Sequence, residues 1–124
     1  MTSAVMPASR VLDYLVATEV MGWVLAIDPL TYQSFYVPAD VQDPEDYAPA
    51  YYENEWKPST DIACTWVAVD KYPDYPFVIG RAVNLEGIPV GWFCQIFDSR
   101  VEATTAALAI CLTLLQVKNV VKVT

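Results

Sequence analysis

The chain has 124 residues, 55% hydrophobic and 18% charged, with a formal net charge of −8. Such a composition supports one core-forming domain over 1–124 and argues against disorder. The acidic balance leaves too few basic side chains to displace counterions from nucleic acid or to hold an anionic membrane. No apolar run approaches the ~20 residues of a membrane helix, and "MTSAVMPASR" lacks the pattern of a signal peptide.

Taken in chain order, Ser9 is placed to cap a helix over about Arg10–Met21, with Leu12, Leu15, Val16 and Val20 along one face. Asp13 falls in the first turns, where the helix dipole favours a carboxylate. Gly22 is suited to end the helix in a left-handed conformation. Trp23–Ile27 reads as a buried strand stopped by Asp28-Pro29, and Gln33–Val37 as a second strand pairing back on it.

The composition then shifts. Leu30–Pro58 holds six acids, seven of the sixteen aromatics, four prolines and a single base, Lys57. It predicts a long acidic-aromatic surface loop at about 38–57. Loops of that length in compact domains tend to carry function.

"PSTDIACTW" (Pro58–Trp66) follows, with Ser59 or Thr60 expected to cap a second helix over about Asp61–Tyr72. Ile62, Trp66 and Val69 form its apolar stripe. Two strands, Phe77–Leu85 and Val90–Phe97, flank "EGIP" as a hairpin with a turn of about four residues. Their large apolar groups occupy both faces, which predicts layers on both sides of the sheet. Ser99-Arg100-Val101-Glu102 fits a capping box and predicts a last helix to about Lys118. The tail, Val120–Val123, is a candidate edge strand. The expected class is therefore α+β: a mainly antiparallel sheet of three to four strands between three helices, a three-layer α-β-α sandwich.

The candidate chemistry is sparse. The chain has no histidine, which removes the commonest general base and the usual zinc and haem ligands. The spacings of Cys64, Cys94 and Cys111 match no metal or redox motif, so they read as buried thiols. The hydroxyls of "PSTDIACTW" have no base to activate them, and a helix cap explains them better. No glycine-rich phosphate loop is present. No catalytic residue, metal site or cofactor is therefore assigned. Two binding sets remain. Trp56, Lys57, Ser59 and Thr60 are a candidate ligand site at a helix start. Tyr47, Tyr51 and Tyr52 are a candidate partner surface.

Three segments together resemble one family: "EVMGW" (Glu19–Trp23), "YENEWKPSTDIACTWVAVDK" (Tyr52–Lys71) and "EATTAALAICLTLL" (Glu102–Leu115). Their order and spacing are similar to the phage ABA sandwich domain, with a longer Asp40–Glu55 loop than is usual there. The resemblance implies an α-β-α sandwich, a phage or prophage origin and a place in the host bacterial cytoplasm. It implies no catalytic residue. The leading functional expectation is a non-enzymatic accessory protein that binds a host protein. The alternative is a sponge for a small anionic ligand such as a nucleotide signal, and the third is a small hydrolase-like enzyme. The aromatic and apolar content also makes a homo-oligomer plausible.

The acids of the loop (Asp40, Asp43, Glu45, Asp46) lack the alternating ligands and central glycine of a calcium loop. Millimolar calcium is therefore expected to leave the melting temperature unmoved in differential scanning fluorimetry. A rise of several degrees would mark a cation site.

Overall fold

The computed structural model describes residues 8–40 and 51–120. In these, α1 (Arg10–Leu15) runs on into a wider π-helical turn (Val16–Val20). Strands β1 (Trp23–Ile27), β2 (Ser34–Pro38) and β3 (Tyr51–Tyr52) form one antiparallel sheet. A 3-10 turn (Glu53–Glu55) leads to α2 (Ile62–Asp70). Strands β4 (Phe77–Val83), β5 (Pro89–Ile96) and β6 (Ser99–Ala103) form a second antiparallel sheet, and α3 (Ala106–Val117) follows. The class is α+β, with two three-stranded sheets in place of the expected single sheet.

The N-terminal helix start and stop are where the sequence placed them, but the strand Trp23–Ile27 is not buried as expected: Val24, Leu25 and Ile27 are 40%, 38% and 60% exposed, because β1 is an edge strand that pairs only with β2. Ser9 Oγ accepts from the Leu12 N–H at 3.2 Å, and Gly22 takes φ 74° after the helix. The wide turn closes through Met21 N–H to Val16 C=O at 3.0 Å. Within it Thr18 Oγ1 also donates to the Tyr14 carbonyl, competing for the backbone acceptor.

Helix α3 is the centre of the core. Every residue from Ala107 to Leu115 is buried, so this helix has no solvent stripe. It packs on β5 and β6 and also meets α2 and the π-helical turn. Its polar core residue Thr113 is satisfied by donating to the Ala109 carbonyl at 2.7 Å.

Several sequence expectations are corrected. The capping box at Ser99–Glu102 does not start a helix, because those residues are strand β6. The cap of α3 is Thr105, whose side chain accepts from Leu108 N–H at 3.2 Å. Pairing with β5 supplies ladder bonds along the whole segment and outweighs the local cap signal. The second helix is capped by Asp61, not by Ser59 or Thr60: Asp61 Oδ1 accepts from Ala63 N–H at 3.0 Å. Its inward face is Cys64, Thr65 and Ala68, while Ile62 and Trp66 stay 45% and 43% exposed. The small inward residues let α2 approach the core closely. Trp66 instead packs edge-on against Phe77, with centroids 5.6 Å apart.

The loop expected at 38–57 is shorter at its far end, since Tyr51–Tyr52 pair with β2 and Glu53–Glu55 form a helical turn. Residues 41–50, including Tyr47, Asp43, Glu45 and Asp46, lie outside the described residues, as do 121–124 of the tail.

The β4–β5 turn is held by Asn84, whose Oδ1 accepts from both Glu86 and Ile88 N–H at 3.0 Å. Phe77, Ile79, Cys94, Ile96 and Val101 face α3 and join its core. The opposite face, where layers were expected, is open among the described residues: Val78 there is 54% exposed.

Gly91 sits at φ 153°, and a Cβ there would stand 2.5 Å from the Ala103 carbonyl oxygen of β6. Gly91→Ala is therefore expected to lower stability by about 2 kcal/mol or more, through backbone strain and a clash with a fixed carbonyl. Equilibrium urea unfolding checks this, and an unchanged midpoint would contradict it.

Candidate functional site

A cleft of about 340 Å³ opens where the start of α1, β2 and the segment before α2 converge. Its walls come from Ser9, Arg10 and Asp13 on one side and from Glu53, Asn54, Trp56, Lys57, Ser59 and Thr60 on the other, and Tyr36 also lines it. The four residues read from the sequence as a ligand set, Trp56, Lys57, Ser59 and Thr60, all line it.

What holds the cleft is a clasp between segments far apart in sequence. Trp56 Nε1–H donates to the Asp13 carbonyl oxygen at 3.0 Å. The Ser59 backbone N–H donates to Asp13 Oδ1 at 2.8 Å. Both bonds are buried, and both tie the 56–59 segment to α1. Thr65 Oγ1 reaches back to the Pro58 carbonyl at 2.6 Å and fixes the segment onto α2. At the mouth, Arg10 and Glu53 form an ion pair of 2.7 Å. Arg10 is largely exposed there, so the pair adds little stability and opens easily.

The individual roles differ from the sequence reading. Trp56 is only 1% exposed. Its ring packs with Trp23 and Tyr51 at centroid distances of 4.8 and 5.0 Å, so it supports the wall and leaves little ring for a ligand to stack on. Ser59 is buried, while Lys57 and Thr60 are exposed at the rim. The start of α2 is already occupied by the Asp61 carboxylate, which removes it as an anion seat. Tyr51 and Tyr52 are half-buried strand residues, and Tyr52 packs edge-on against Phe35.

Asp13, Arg10, Tyr36, Glu53 and Asn54 also line the cleft and were not picked out from the sequence. For Asp13 a signal was present. It stands at i of an i, i+3, i+4, i+7 apolar series with Val16, Ala17 and Val20, all buried. A carboxylate on the inward stripe of an amphipathic helix is out of place unless something binds it. Asp13 is 7% exposed. Burial raises its pKa above the ordinary value, while the hydrogen bonds from Ser59 and the charge of Lys57 pull it partly back. Tyr36 is pushed up to about 12, by burial first and then by Glu53. Its hydroxyl is therefore a neutral hydrogen-bonding group at physiological pH.

The three thiols are free and buried. Burial raises the pKa of Cys64, of Cys94 to about 11, and of Cys111 well above the ordinary value, so all three stay protonated near neutrality. Among the described residues no group of three or more acidic, cysteine or histidine side chains converges as a metal site, and no helix is long and apolar enough to cross a membrane.

The fold and site thus define a small α+β domain with a charged cleft that has a buried carboxylate in its wall. The family model of the phage ABA sandwich domain matches residues 14–113. The chain belongs to that family. No curated protein and no solved structure matches it significantly.

The raised pKa of Asp13 has a definite sign. A carboxylate that holds its proton more tightly in the folded chain contributes less stability as pH rises from its ordinary value through its raised one. Asp13→Asn removes that titration but keeps an oxygen for Ser59 N–H. Denaturant unfolding from the ordinary carboxylate range to neutral pH is expected to show the variant gaining on the wild type as pH rises. Parallel curves would mean that Asp13 does not titrate abnormally.

Proposed function

We propose that the protein is a non-enzymatic phage or prophage accessory protein, acting in the host bacterial cytoplasm, that holds a small polar ligand in this cleft. The observation that carries the reading is the convergence of Lys57, Thr60 and Arg10 at the rim with Asp13 and Tyr36 in the wall. The rim cations suit an anionic group. The buried Asp13 carboxylate accepts N–H donors, and Tyr36 adds a neutral phenol. A nucleotide combines both kinds of group. The cleft volume lies at the lower end of the range for small-molecule sites, which suits one nucleoside unit better than a larger ligand.

Two features support a binding role over an enzymatic one. The chain has no histidine, and its thiols are held protonated. A host-protein partner seated on Tyr51 and Tyr52 has less support, because both rings are engaged in packing within the chain. The three-layer α-β-α stacking expected from the sequence stands as a proposal on the family's description, since the described strands divide into two sheets.

Isothermal titration against a panel of nucleotides tests the reading. Lys57→Ala is expected to weaken binding of every phosphate-bearing member by about tenfold. Asp13→Asn is expected to discriminate among bases, weakening those that offer N–H donors. No heat with any member would remove the proposal.

A further inference from the structure

The open face of the β4–β5–β6 sheet has a regular layout. One cross-strand row is Val78, Gln95 and Arg100, and the next is Gly80, Phe93 and Glu102. Val78 and Arg100 are exposed, and Gln95, Phe93 and Glu102 are half-buried. The Phe93 ring lies beside Gly80, so closely that a Cβ at Gly80 would stand 2.8 Å from it. The Arg100 guanidinium covers the ring at 3.9 Å from its centroid. Among the described residues the one salt bridge is Arg10–Glu53. Among the described residues neither Arg100 nor Glu102 has an ionic partner, although they sit two residues apart on one face.

This layout is self-complementary. A two-fold axis running across the strands, level with Val101, would turn a second copy face to face with each strand antiparallel to its own counterpart. Each row then lies over the other row of the partner copy. Val78 meets the Phe93 ring that fills the space above Gly80, Gln95 lies over the Phe93 position, and Arg100 meets Glu102. The operation gives each contact twice, as an isologous interface requires. Opposite charges within one patch are what such an axis selects, because a patch of one sign would repel its copy. The chain's net charge of −8 opposes random self-association, which makes a local paired arrangement the more specific.

We propose that the protein forms a two-fold dimer through the open face of the β4–β6 sheet, with Arg100 of each copy paired to Glu102 of the other.

Sedimentation velocity of the full chain, from low-micromolar to hundred-micromolar concentration, tests this. The wild type is expected to be a dimer that weakens as salt is raised. Glu102→Arg or Arg100→Glu alone places like charges opposite each other twice, and each is expected to weaken the dimer at least about a hundredfold. The double variant Arg100→Glu/Glu102→Arg restores the pairs and is expected to return to within about tenfold of wild type, the deficit coming from the lost stack on Phe93. Val78→Asp, at a position exposed in the single chain, is expected to give a folded monomer. Circular dichroism checks folding throughout. A wild type that stays monomeric, singly reversed variants that still dimerise, or a folded double variant that stays monomeric would each overturn the proposal.

Discussion

The structure depends on the need to surround one helix completely. Nine consecutive residues of α3 are buried, among them Leu108, Ile110, Leu112, Leu114 and Leu115. Burying each such side chain is worth about 1.5–3 kcal/mol, so the chain gains most by covering every side of this helix. A single sheet covers only one side. The inner face of β4–β6 supplies that cover through Cys94, Ile96 and Val101, and the π-helical turn and α2 supply others. The small residues Ala17 and Ala68 are buried in the same cluster, and they permit close approach of the covering helices.

The cleft is a consequence of how the covering elements are tied together. Helix α1 and the 56–59 segment meet at the edge of the core, where their backbone groups need partners. Asp13 satisfies the Ser59 N–H with its side chain and the Trp56 indole with its carbonyl. Hydrogen bonds to an ionised group are worth about 1.5–3 kcal/mol, but only by offsetting the desolvation of that group. The raised pKa of Asp13 records a compromise between the two. The Trp23–Tyr51–Trp56 cluster then fills the space behind the clasp. The same arrangement that holds the walls apart also leaves a carboxylate at the cleft surface.

Much of the local structure was legible in the residues. Ser9, Gly22 and the Asp28-Pro29 stop mark the first helix and strand because capping, left-handed turns and proline act within a few residues. The hairpin at Asn84–Ile88 was legible for the same reason. The errors fell where two local signals competed and a contact outside the segment decided. Ser99–Glu102 satisfies a capping box and also alternates Ser99, Val101 and Ala103 against Arg100 and Glu102. Pairing with β5 favours the second pattern. Likewise Ile62 and Trp66 keep helical spacing, but the space beside α3 accepts Cys64 and Ala68. The site was half legible. Trp56, Lys57, Ser59 and Thr60 fall within five residues and could be read together, whereas Arg10, Asp13 and Tyr36 reach them only through the fold.

The sequence by itself therefore determined the elements with strong end signals, the α+β class, the family and the absence of histidine chemistry. These follow from residue identity and short-range spacing, which need no long-range contact. Only the tertiary structure decided that the strands divide into two sheets, that Asp13 is buried, and that α1 closes a cleft with the segment before α2. The last two rest on contacts between residues more than forty positions apart, such as Asp13 with Trp56 and Ser59. No local pattern specifies which distant donor will meet a given acceptor. That choice is made when the whole chain packs around α3.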